Sequence, residues 1–102
     1  MANLSIKLTE TAYLDLEDIE SYVSQSSPKI GREFVNKIFK KIEILYDHPR
    51  IGRKVPEFDN DKIRELIQGK YRIVYRIVND ELVEVLRIIH GSRLTDLEDT
   101  TF

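Results

Sequence analysis

The segment 63–93 constrains the fold more than any other part of the chain, because it holds three strand signals separated by very short turns. The predicted strands are rich in β-branched and aromatic side chains, and they span residues 63–67, 71–78 and 82–89. The connections at 68–70 and 79–80 contain glycine, asparagine and aspartate, which favour tight turns. Strands joined by such short connections run antiparallel. The segment therefore predicts a three-stranded meander.

A short strand and two helices are predicted before this meander. Residues 4–8 alternate between apolar and polar side chains, which is typical of a strand with one buried face. Thr9 follows, where its side-chain oxygen can cap a first helix with an apolar stripe through residues 12–23. Ser27 and Pro28 are typical of a second helix start, and that helix ends before Pro49 because the residue preceding a proline resists helical geometry.

These elements predict an α+β fold in the order β-α-α-β-β-β, with a helical hairpin packed on a small antiparallel sheet. The 102 residues are close to the commonest size of one domain, so we expect residues 1–102 to form a single domain. Hydrophobic residues make up 41% of the chain and charged residues 33%, which is typical of a globular protein rather than a disordered one.

Composition also disfavours several kinds of site. The chain has no cysteine, so it has no disulfide, no thiol nucleophile and no thiolate metal site. The two histidines lack carboxylates at metal-ligand spacing, and the four glycines stand singly rather than in a phosphate-binding loop. We therefore expect no metal and no cofactor. The N-terminal residues lack a signal-peptide pattern and no apolar run is long enough to span a membrane, so we expect a cytoplasmic protein without membrane association.

The charges are unevenly distributed along the chain. The formal net charge is −2, which by itself argues against a nucleic-acid-binding protein. Residues 1–27 and 94–102 are acidic, with net charges of −4 and −3, whereas residues 28–58 carry +4 and residues 59–93 carry +1. A basic middle between acidic ends can form one positive face, although ordinary solvated helix surfaces explain the same numbers.

Five of the eight arginines lie in the predicted meander. If residues 79–80 form a two-residue loop, Arg72 lies opposite Arg87, and alternation places Arg72, Arg76 and Arg87 on one face of the sheet. The other face is richer in large apolar groups, so we assign it to the helices and leave the arginine face open. Arg64 joins the three arginines if the turn at 68–70 has three residues, and it lies on the other face if that turn has four.

Two interpretations of this arginine face remain. Guanidinium groups that gather on an open face suit phosphate or carboxylate, because the planar fork of arginine binds two oxygens at once. Alternatively, three nearby acids pair with the arginines as solvated cross-strand ion pairs, namely Glu65, Glu81 and Glu84. Alternation alone does not choose between these interpretations.

His90 and Arg93 follow the last predicted strand within four residues of each other. A histidine can transfer a proton near neutral pH, and a neighbouring arginine can stabilise a phosphoryl charge. A histidine at the end of a strand is also commonly a hydrogen-bonded structural residue. Ser92 between them has no convincing triad partners.

Four motifs in order give the chain a resemblance to a known family. The segments HPRIGRKVPE, IREL, GKYRIVYRI and IIHGSR resemble the toxins of the RelE/ParE superfamily of bacterial type II toxin–antitoxin systems. The resemblance runs from the first strand to Arg93. It implies a small cytoplasmic toxin that a cognate antitoxin wraps and neutralises.

The resemblance implies one of two activities. Members similar to RelE are ribosome-dependent endoribonucleases that cleave mRNA, and in that case Arg72, His90 and Arg93 are the expected catalytic residues. Members similar to ParE poison DNA gyrase and are not nucleases. Arg72 matches the arginine of the family's YR pair, Arg93 matches the basic residue after the last strand, and Arg64 matches through IREL. With Arg76 and Arg87, Arg64 is an expected partner- or anion-binding residue.

Departures from the nuclease pattern favour the ParE-like branch. RelE-like nucleases usually carry a strongly basic surface, whereas this chain has a net charge of −2. The tyrosine that RelE carries several residues beyond the terminal motif has no counterpart in LTDLEDTTF, the sequence after Arg93. We therefore expect a plasmid-stabilisation toxin that acts on DNA gyrase, with the ribosome and its mRNA as the alternative target and an inactive binding module as the third possibility.

Overall fold

A computed structural model of the protein describes residues 3–91, so Arg93 and Ser92 lie outside the described residues. Two helices follow a first strand, and four further strands follow the helices. The elements are β1 Ser5–Leu8, α1 Glu10–Ser24, α2 Pro28–Glu43, a 3-10 turn Ile44–Tyr46, β2 Arg53–Lys54, β3 Ile63–Gln68, β4 Tyr71–Asn79 and β5 Leu82–His90. Among these residues, no helix is long and apolar enough to cross a membrane.

The helix boundaries follow local sequence signals. The Thr9 side chain accepts a hydrogen bond from the amide of Ala12 at 3.1 Å, which satisfies one of the free amides at the start of α1. Pro28 occupies the first turn of α2, where it has no amide to lose. Ser27 has the extended backbone of a cap residue but makes no side-chain capping bond. The predicted starts of both helices are therefore confirmed, and only the first has the expected side-chain cap.

The five strands form one mixed sheet in the order β1-β5-β4-β3-β2. Neighbours are antiparallel except that β1 runs parallel to β5. The predicted α+β fold with its β-α-α-β-β-β order is confirmed. The short strand β2 and the parallel pairing of β1 were not predicted, because a two-residue edge strand carries no alternation and a parallel partner 77 residues away leaves no local signal.

The turn between β3 and β4 decides the position of Arg64. Gln68 pairs with Tyr71, so the loop has two residues, and Gly69 adopts a φ of +60° that glycine tolerates well. Arg64 therefore lies opposite Tyr75, on the side of the sheet that faces the helices, and not with Arg72. Its side-chain nitrogens reach the main chain of the loop that precedes β2.

The predicted pairing of Arg72 with Arg87 is wrong. Asn79 pairs with Leu82, so the turn lies one residue later than expected, and the irregularities between Ile77 and Asn79 and between Val74 and Tyr75 shift the register in opposite directions and cancel. Arg72 consequently lies opposite Ile89, and Arg87 lies opposite Val74. The irregularity beside Val74 leaves Leu86 without a partner on β4, and the Arg87 side chain bonds Asp15 of α1 on the helix side, away from Arg72 and Arg76.

Both faces of the sheet are covered by apolar groups. The helix-side core packs α1 and α2 on the sheet through Ala12, Leu16, Ile19, Ile38, Ile42, Leu45, Leu66, Ile73, Tyr75, Ile77, Val83, Val85 and Ile88. On the opposite face, which we call the far face, a second cluster contains Val55, Ile63, Val74, Leu86 and Ile89, with Phe58 packed against it. Residues 55–61, here called the strap, contribute Val55 and Phe58 to this cluster. The expectation of an open arginine face is therefore wrong.

Candidate functional site

Arg72 lies at the centre of an ion network on the far face. Its Nε donates to Glu65 at 2.6 Å, and its two terminal nitrogens donate to the two oxygens of Glu57 at 2.8 Å each. Glu65 also accepts a bond from Arg53. The Arg72 side chain is only 6% exposed and that of Glu65 is fully buried, so the network lies in a medium where charges interact strongly.

The network contains two arginines and two glutamates, so its formal charges balance. The hydrogen bonds from Arg72 lower the pKa of Glu57 below its ordinary value, against the opposing effect of burial. Glu57 in turn raises the pKa of Arg72. Both groups therefore remain charged at neutral pH. The Nε and both terminal nitrogens of Arg72 already donate to carboxylates of the same chain.

A cleft of about 520 Å³ lies beside this network. Three cationic side chains line it, Arg53, Lys70 and Arg72, together with the carboxylate of Glu57. The amide of Gly91 donates to the carbonyl of Lys70 at 2.7 Å, so the end of β5 closes one side of the cleft. The cationic side chains give the cleft the composition of an anion-binding site, and the carboxylate of Glu57 is an anion that the protein itself supplies there.

Arg76 and Arg87 are also paired with acids. Arg76 lies opposite Glu84 and donates to its carboxylate on the far face. Arg87 instead reaches α1, where its Nε and one terminal nitrogen donate to Asp15 at 2.9 and 3.1 Å. Asp15 also accepts the amide of Ile88 at 2.9 Å, so this carboxylate joins α1 to the part of β5 that lies beyond β1. The predicted cross-strand ion pairing therefore holds for Glu84, which is partly exposed, whereas Glu65 pairs with its arginines in a fully buried position rather than a solvated one.

His90 packs its ring edge-on against Tyr71, with the ring centroids 5.4 Å apart. Both rings line a second cleft of about 720 Å³ between α1 and the end of β5, together with Asp15, Asp18, Tyr22 and Arg87. Arg72 lines the first cleft and His90 the second, so two of the three residues that were expected to be catalytic in a nuclease lie in different clefts, with Tyr71 between them. Arg93 falls outside the described residues.

Buried polar groups fix the loop that leads into β2. The Tyr75 hydroxyl donates to the carbonyl of Pro49 at 2.7 Å and accepts the amide of Gly52 at 3.0 Å. Burial raises the pKa of Tyr75, which keeps the hydroxyl protonated and able to donate. Arg64 adds bonds to the carbonyls of Arg50 and Gly52 at 3.3 and 2.9 Å. The motif HPRIGRKVPE thus owes its conformation to residues of β3 and β4.

Three residues of these networks were missed by the sequence analysis, namely Glu57, Asp15 and Tyr75. Glu57 stands in a stretch rich in charges and turn formers, so nothing local distinguishes it from a solvated acid. Asp15 and Arg87 are 72 residues apart, and only tertiary packing joins them. The sequence could have placed Glu65 beside Arg72, because a two-residue turn at Gly69 puts both side chains on the same face of the β3–β4 pair.

Among residues 3–91, no group of three or more histidine, cysteine, aspartate or glutamate side chains is placed to hold a metal ion. Arginine, lysine, carboxylate, tyrosine and histidine side chains line the two clefts. These groups can bind anions, form ion pairs and exchange protons.

Comparisons with known proteins agree with this architecture. The chain is 29% identical over 86 residues to a curated protein of Caulobacter vibrioides named Toxin RelE2, covering 84% of this chain and 93% of that protein. A chromosomal ParDE system of P. aeruginosa contains a chain with the same fold, with a TM-score of 0.72 and 22% identity over 86% of this chain and 96% of that one. A chain of the toxin–antitoxin complex RelBE2 from Mycobacterium tuberculosis matches with a TM-score of 0.58 and 25% identity, over 87% of this chain and 99% of that one.

The family model described as the ParE toxin of type II toxin–antitoxin systems matches residues 6–95, which include both helices, all the strands of the meander and the HGSR motif. The predicted RelE/ParE superfamily resemblance is confirmed. The chain belongs to the ParE toxin family of type II toxin–antitoxin systems.

Proposed function

We propose that this protein is the toxin of a ParDE-type pair and that it poisons DNA gyrase rather than cleaving mRNA. The state of Arg72 carries this proposal. An arginine that stabilises the transition state of RNA cleavage must place its N–H donors on phosphoryl oxygens. In this chain those donors are directed at Glu57 and Glu65, and the side chain is almost completely buried.

Two further observations support the gyrase branch over the nuclease. His90 contacts Tyr71 on the side of the sheet that carries α1, whereas Arg72 points to the strap on the far face. A general acid or base must come within hydrogen-bond reach of the group whose proton it transfers. The net charge of −2 also disfavours binding to ribosomal RNA, which depends on many phosphate contacts.

The proposal is tested with purified toxin, DNA gyrase, ATP and supercoiled plasmid. We expect toxin-dependent linear DNA after detergent and protease treatment, which is the product of a trapped gyrase–DNA cleavage complex. A topoisomerase IV reaction run in parallel is the control for the specificity of trapping toward gyrase. Gyrase supercoiling that is unaffected at toxin concentrations that arrest growth would refute the proposal.

Ribosome-dependent mRNA cleavage is the second candidate, favoured by the 29% identity to Toxin RelE2 and by the cationic lining of the first cleft. In this case Arg72, His90 and Arg93 are the proposed catalytic residues. Primer extension on translated mRNA would show new 5′ ends at the ribosomal A site, and these ends would disappear in His90→Ala and Arg93→Ala. Intact transcripts during growth arrest would exclude this candidate.

We also propose a cognate antitoxin as partner and the cytoplasm as the place of action. The segment that neutralises the toxin is expected to be extended or helical, with apolar and acidic side chains. Two features of the structure support such a site: β1 pairs only with Leu82–Val85, and the second cleft lies beside the remainder of β5. Arg64, Arg76 and Arg87 are proposed partner- or anion-binding residues.

Co-purification from the native host tests the partner and the target in one experiment. Tagged toxin should recover a short antitoxin encoded beside it, and gyrase when the antitoxin is depleted. A third possibility is an inactive binding module. It predicts no growth defect when the toxin is expressed without its partner, whereas the gyrase and nuclease proposals both predict growth arrest.

A further inference from the structure

Three cationic side chains meet one carboxylate on the surface beside β2. Asp61 accepts bonds from Arg50 and Arg64 at 2.9 Å each, and the ammonium of Lys54 lies 3.4 Å from the same carboxylate. These cations lower the pKa of Asp61, the Arg50 hydrogen bond having the largest effect. Even with Asp61 ionised, this surface cluster of Arg50, Lys54, Arg64 and Asp61 carries two more positive than negative charges.

The other arginine networks of the sheet show no such excess. The buried network around Arg72 contains equal numbers of arginines and glutamates, and Arg76 and Arg87 each have a carboxylate partner. Asp59 and Lys62, which flank Asp61 in the sequence, carry opposite charges. Local positive charge therefore accumulates at Asp61 although the whole chain has a net charge of −2.

The main chain that carries this cluster is held rigidly. Tyr75 and Arg64 together occupy the main-chain groups of Pro49, Arg50 and Gly52. A Cβ on Gly52 would lie 2.6 Å from the Tyr75 hydroxyl and 2.7 Å from the Glu65 carbonyl, so the loop packs as closely as its backbone allows. Like charges held together on a rigid support are unfavourable unless an anion offsets them.

The exposed members of the cluster, Arg50 and Lys54, have further N–H donors that can bind a ligand. The side chains of Arg50 and Lys54 are 57% and 64% exposed. Among the described residues, Arg50 donates one of its five N–H groups and Lys54 contacts the same carboxylate, which leaves most of their donors directed to solvent. Asp61 is itself half exposed, so an anion can approach the two cations without unfolding any part of the loop.

We infer that the Arg50–Lys54–Arg64 cluster binds the phosphodiester backbone of duplex DNA. The inference rests on the proposed function, because gyrase holds duplex DNA and DNA is then the anionic polymer present where the toxin acts. Guanidinium and ammonium groups gathered around one carboxylate also match the charge and size of a phosphate group. The cluster would contact DNA beside gyrase and so stabilise the ternary complex.

The expected contact is weak and small. Arg50 and Lys54 are the exposed cations, with the partly buried Arg64 behind them, so the cluster can neutralise two or three phosphates. Each neutralised phosphate contributes about −0.9 to the slope of log K against log salt concentration, which predicts a slope of about −2 to −3. Such binding depends steeply on salt and shows no sequence preference.

The experiment measures fluorescence anisotropy of a labelled mixed-sequence duplex with full-length toxin over a series of salt concentrations. Three variants are compared with the wild type. Arg50→Gln/Lys54→Gln removes the two exposed cations, and Asp61→Asn removes the competing carboxylate. Lys37→Gln/Lys40→Gln on the exposed side of α2 makes the same change in net charge at another place and is the matched control.

Arg50→Gln/Lys54→Gln should weaken binding and reduce the salt slope by about 2, while Asp61→Asn should tighten binding and the α2 control should change little. Equal weakening by the α2 control would mean that only net charge matters, and weakening by Asp61→Asn would mean that the carboxylate helps binding. Either result overturns the inference. Retention of DNA binding by Arg50→Gln/Lys54→Gln with loss of antitoxin binding would also overturn it and would assign the cluster to an acidic peptide. Thermal unfolding confirms that each variant is folded.

A gyrase assay separates this inference from the proposed function. If wild-type toxin traps no cleavage complexes, the gyrase proposal fails whatever the DNA-binding result. If the wild type traps them and Arg50→Gln/Lys54→Gln traps fewer at the same toxin concentration, the DNA contact is supported. Equal trapping by both proteins would overturn the contact and leave the gyrase proposal standing.

Discussion

Arg72 donates from both terminal nitrogens to the two carboxylate oxygens of Glu57, at 2.8 Å each. Glu57 belongs to the strap and Arg72 to β4, so this bidentate pair fixes the strap over the apolar cluster of the far face. The third bond of Arg72, to Glu65, extends the link to β3. The arginine that matches the family's YR pair is thus a structural connection between three parts of this chain.

Removal of Arg72 should destabilise the protein strongly. Arg72→Met leaves the fully buried Glu65 carboxylate with Arg53 alone and removes the partner of Glu57. Breaking a buried ion pair by removing one partner costs about 3–5 kcal/mol. Urea unfolding of both proteins measures the difference. Arg76→Met is the control, since its pair with Glu84 is partly exposed and such pairs contribute about 1 kcal/mol or less. Equal losses in the two variants would contradict the structural role of Arg72.

The contribution of Glu57 to stability should disappear in acid. Its pKa is lowered from 4.5 in the folded protein, mainly by Arg72, so the folded state favours the ionised carboxylate. The resulting stabilisation is fully present above pH 4.5 and is lost as the pH falls through the lower folded-state pKa. We therefore expect wild type to exceed Glu57→Gln in unfolding free energy near neutral pH, and the gap to close below pH 4.5. A gap that stays constant down to the acid limit would show that Glu57 does not titrate in this way.

The Tyr75 hydroxyl should contribute to the free energy of unfolding, because it holds the loop that precedes β2. Tyr75→Phe keeps the ring in the core but leaves the Pro49 carbonyl and the Gly52 amide without their partner. An unsatisfied buried polar group costs about 1–3 kcal/mol. Chemical denaturation measures the loss, and amide hydrogen exchange should show faster exchange at Gly52. The exposed Tyr22→Phe is the control, and unchanged exchange at Gly52 would mean that the hydroxyl does not hold the loop.

A side chain at Gly52 should disturb the same loop. Gly52→Ala places a Cβ within 2.7 Å of the Tyr75 ring and of the Glu65 carbonyl, and overpacking of this kind costs about 1–3 kcal/mol. Because Tyr75→Phe removes the closest atom, the double variant should lose less stability than the two single losses added together. Strict additivity in a double-mutant cycle would show that the glycine and the tyrosine are not in contact.

Local signals in the sequence were sufficient for much of the fold. Residues that cap helices, break them or close tight turns act over a few positions, so Thr9, Pro28 and Gly69 mark the correct boundaries. Alternation in β4 also identifies the residues that face the helices, since Tyr71, Ile73, Tyr75 and Ile77 all contact that core. The family resemblance rests on the same local features and is confirmed over residues 6–95.

The tertiary structure alone decided what the arginines do. The β4–β5 turn lies one residue later than predicted, so Arg72 and Arg87 are not opposite each other, and an irregularity beside Val74 accompanies the turn of Arg87 to Asp15 on the helix side. The strap covers the face that alternation left open, because its Val55 and Phe58 can bury apolar surface there. The carboxylates of Glu57 and Asp15 reach their arginines across 15 and 72 residues of chain.

The sequence by itself therefore determined the order of elements, the helix-facing side of β4 and the family. It placed Arg72 on a face with other arginines and named Glu65 as one possible partner, but it did not identify Glu57. Short-range steric and hydrogen-bonding preferences depend on neighbouring residues in the sequence. The neutralisation of a buried charge depends instead on which distant groups the fold brings within about 3 Å. For that reason only the tertiary structure distinguished a structural arginine on the far face from the cation-rich surface around Asp61.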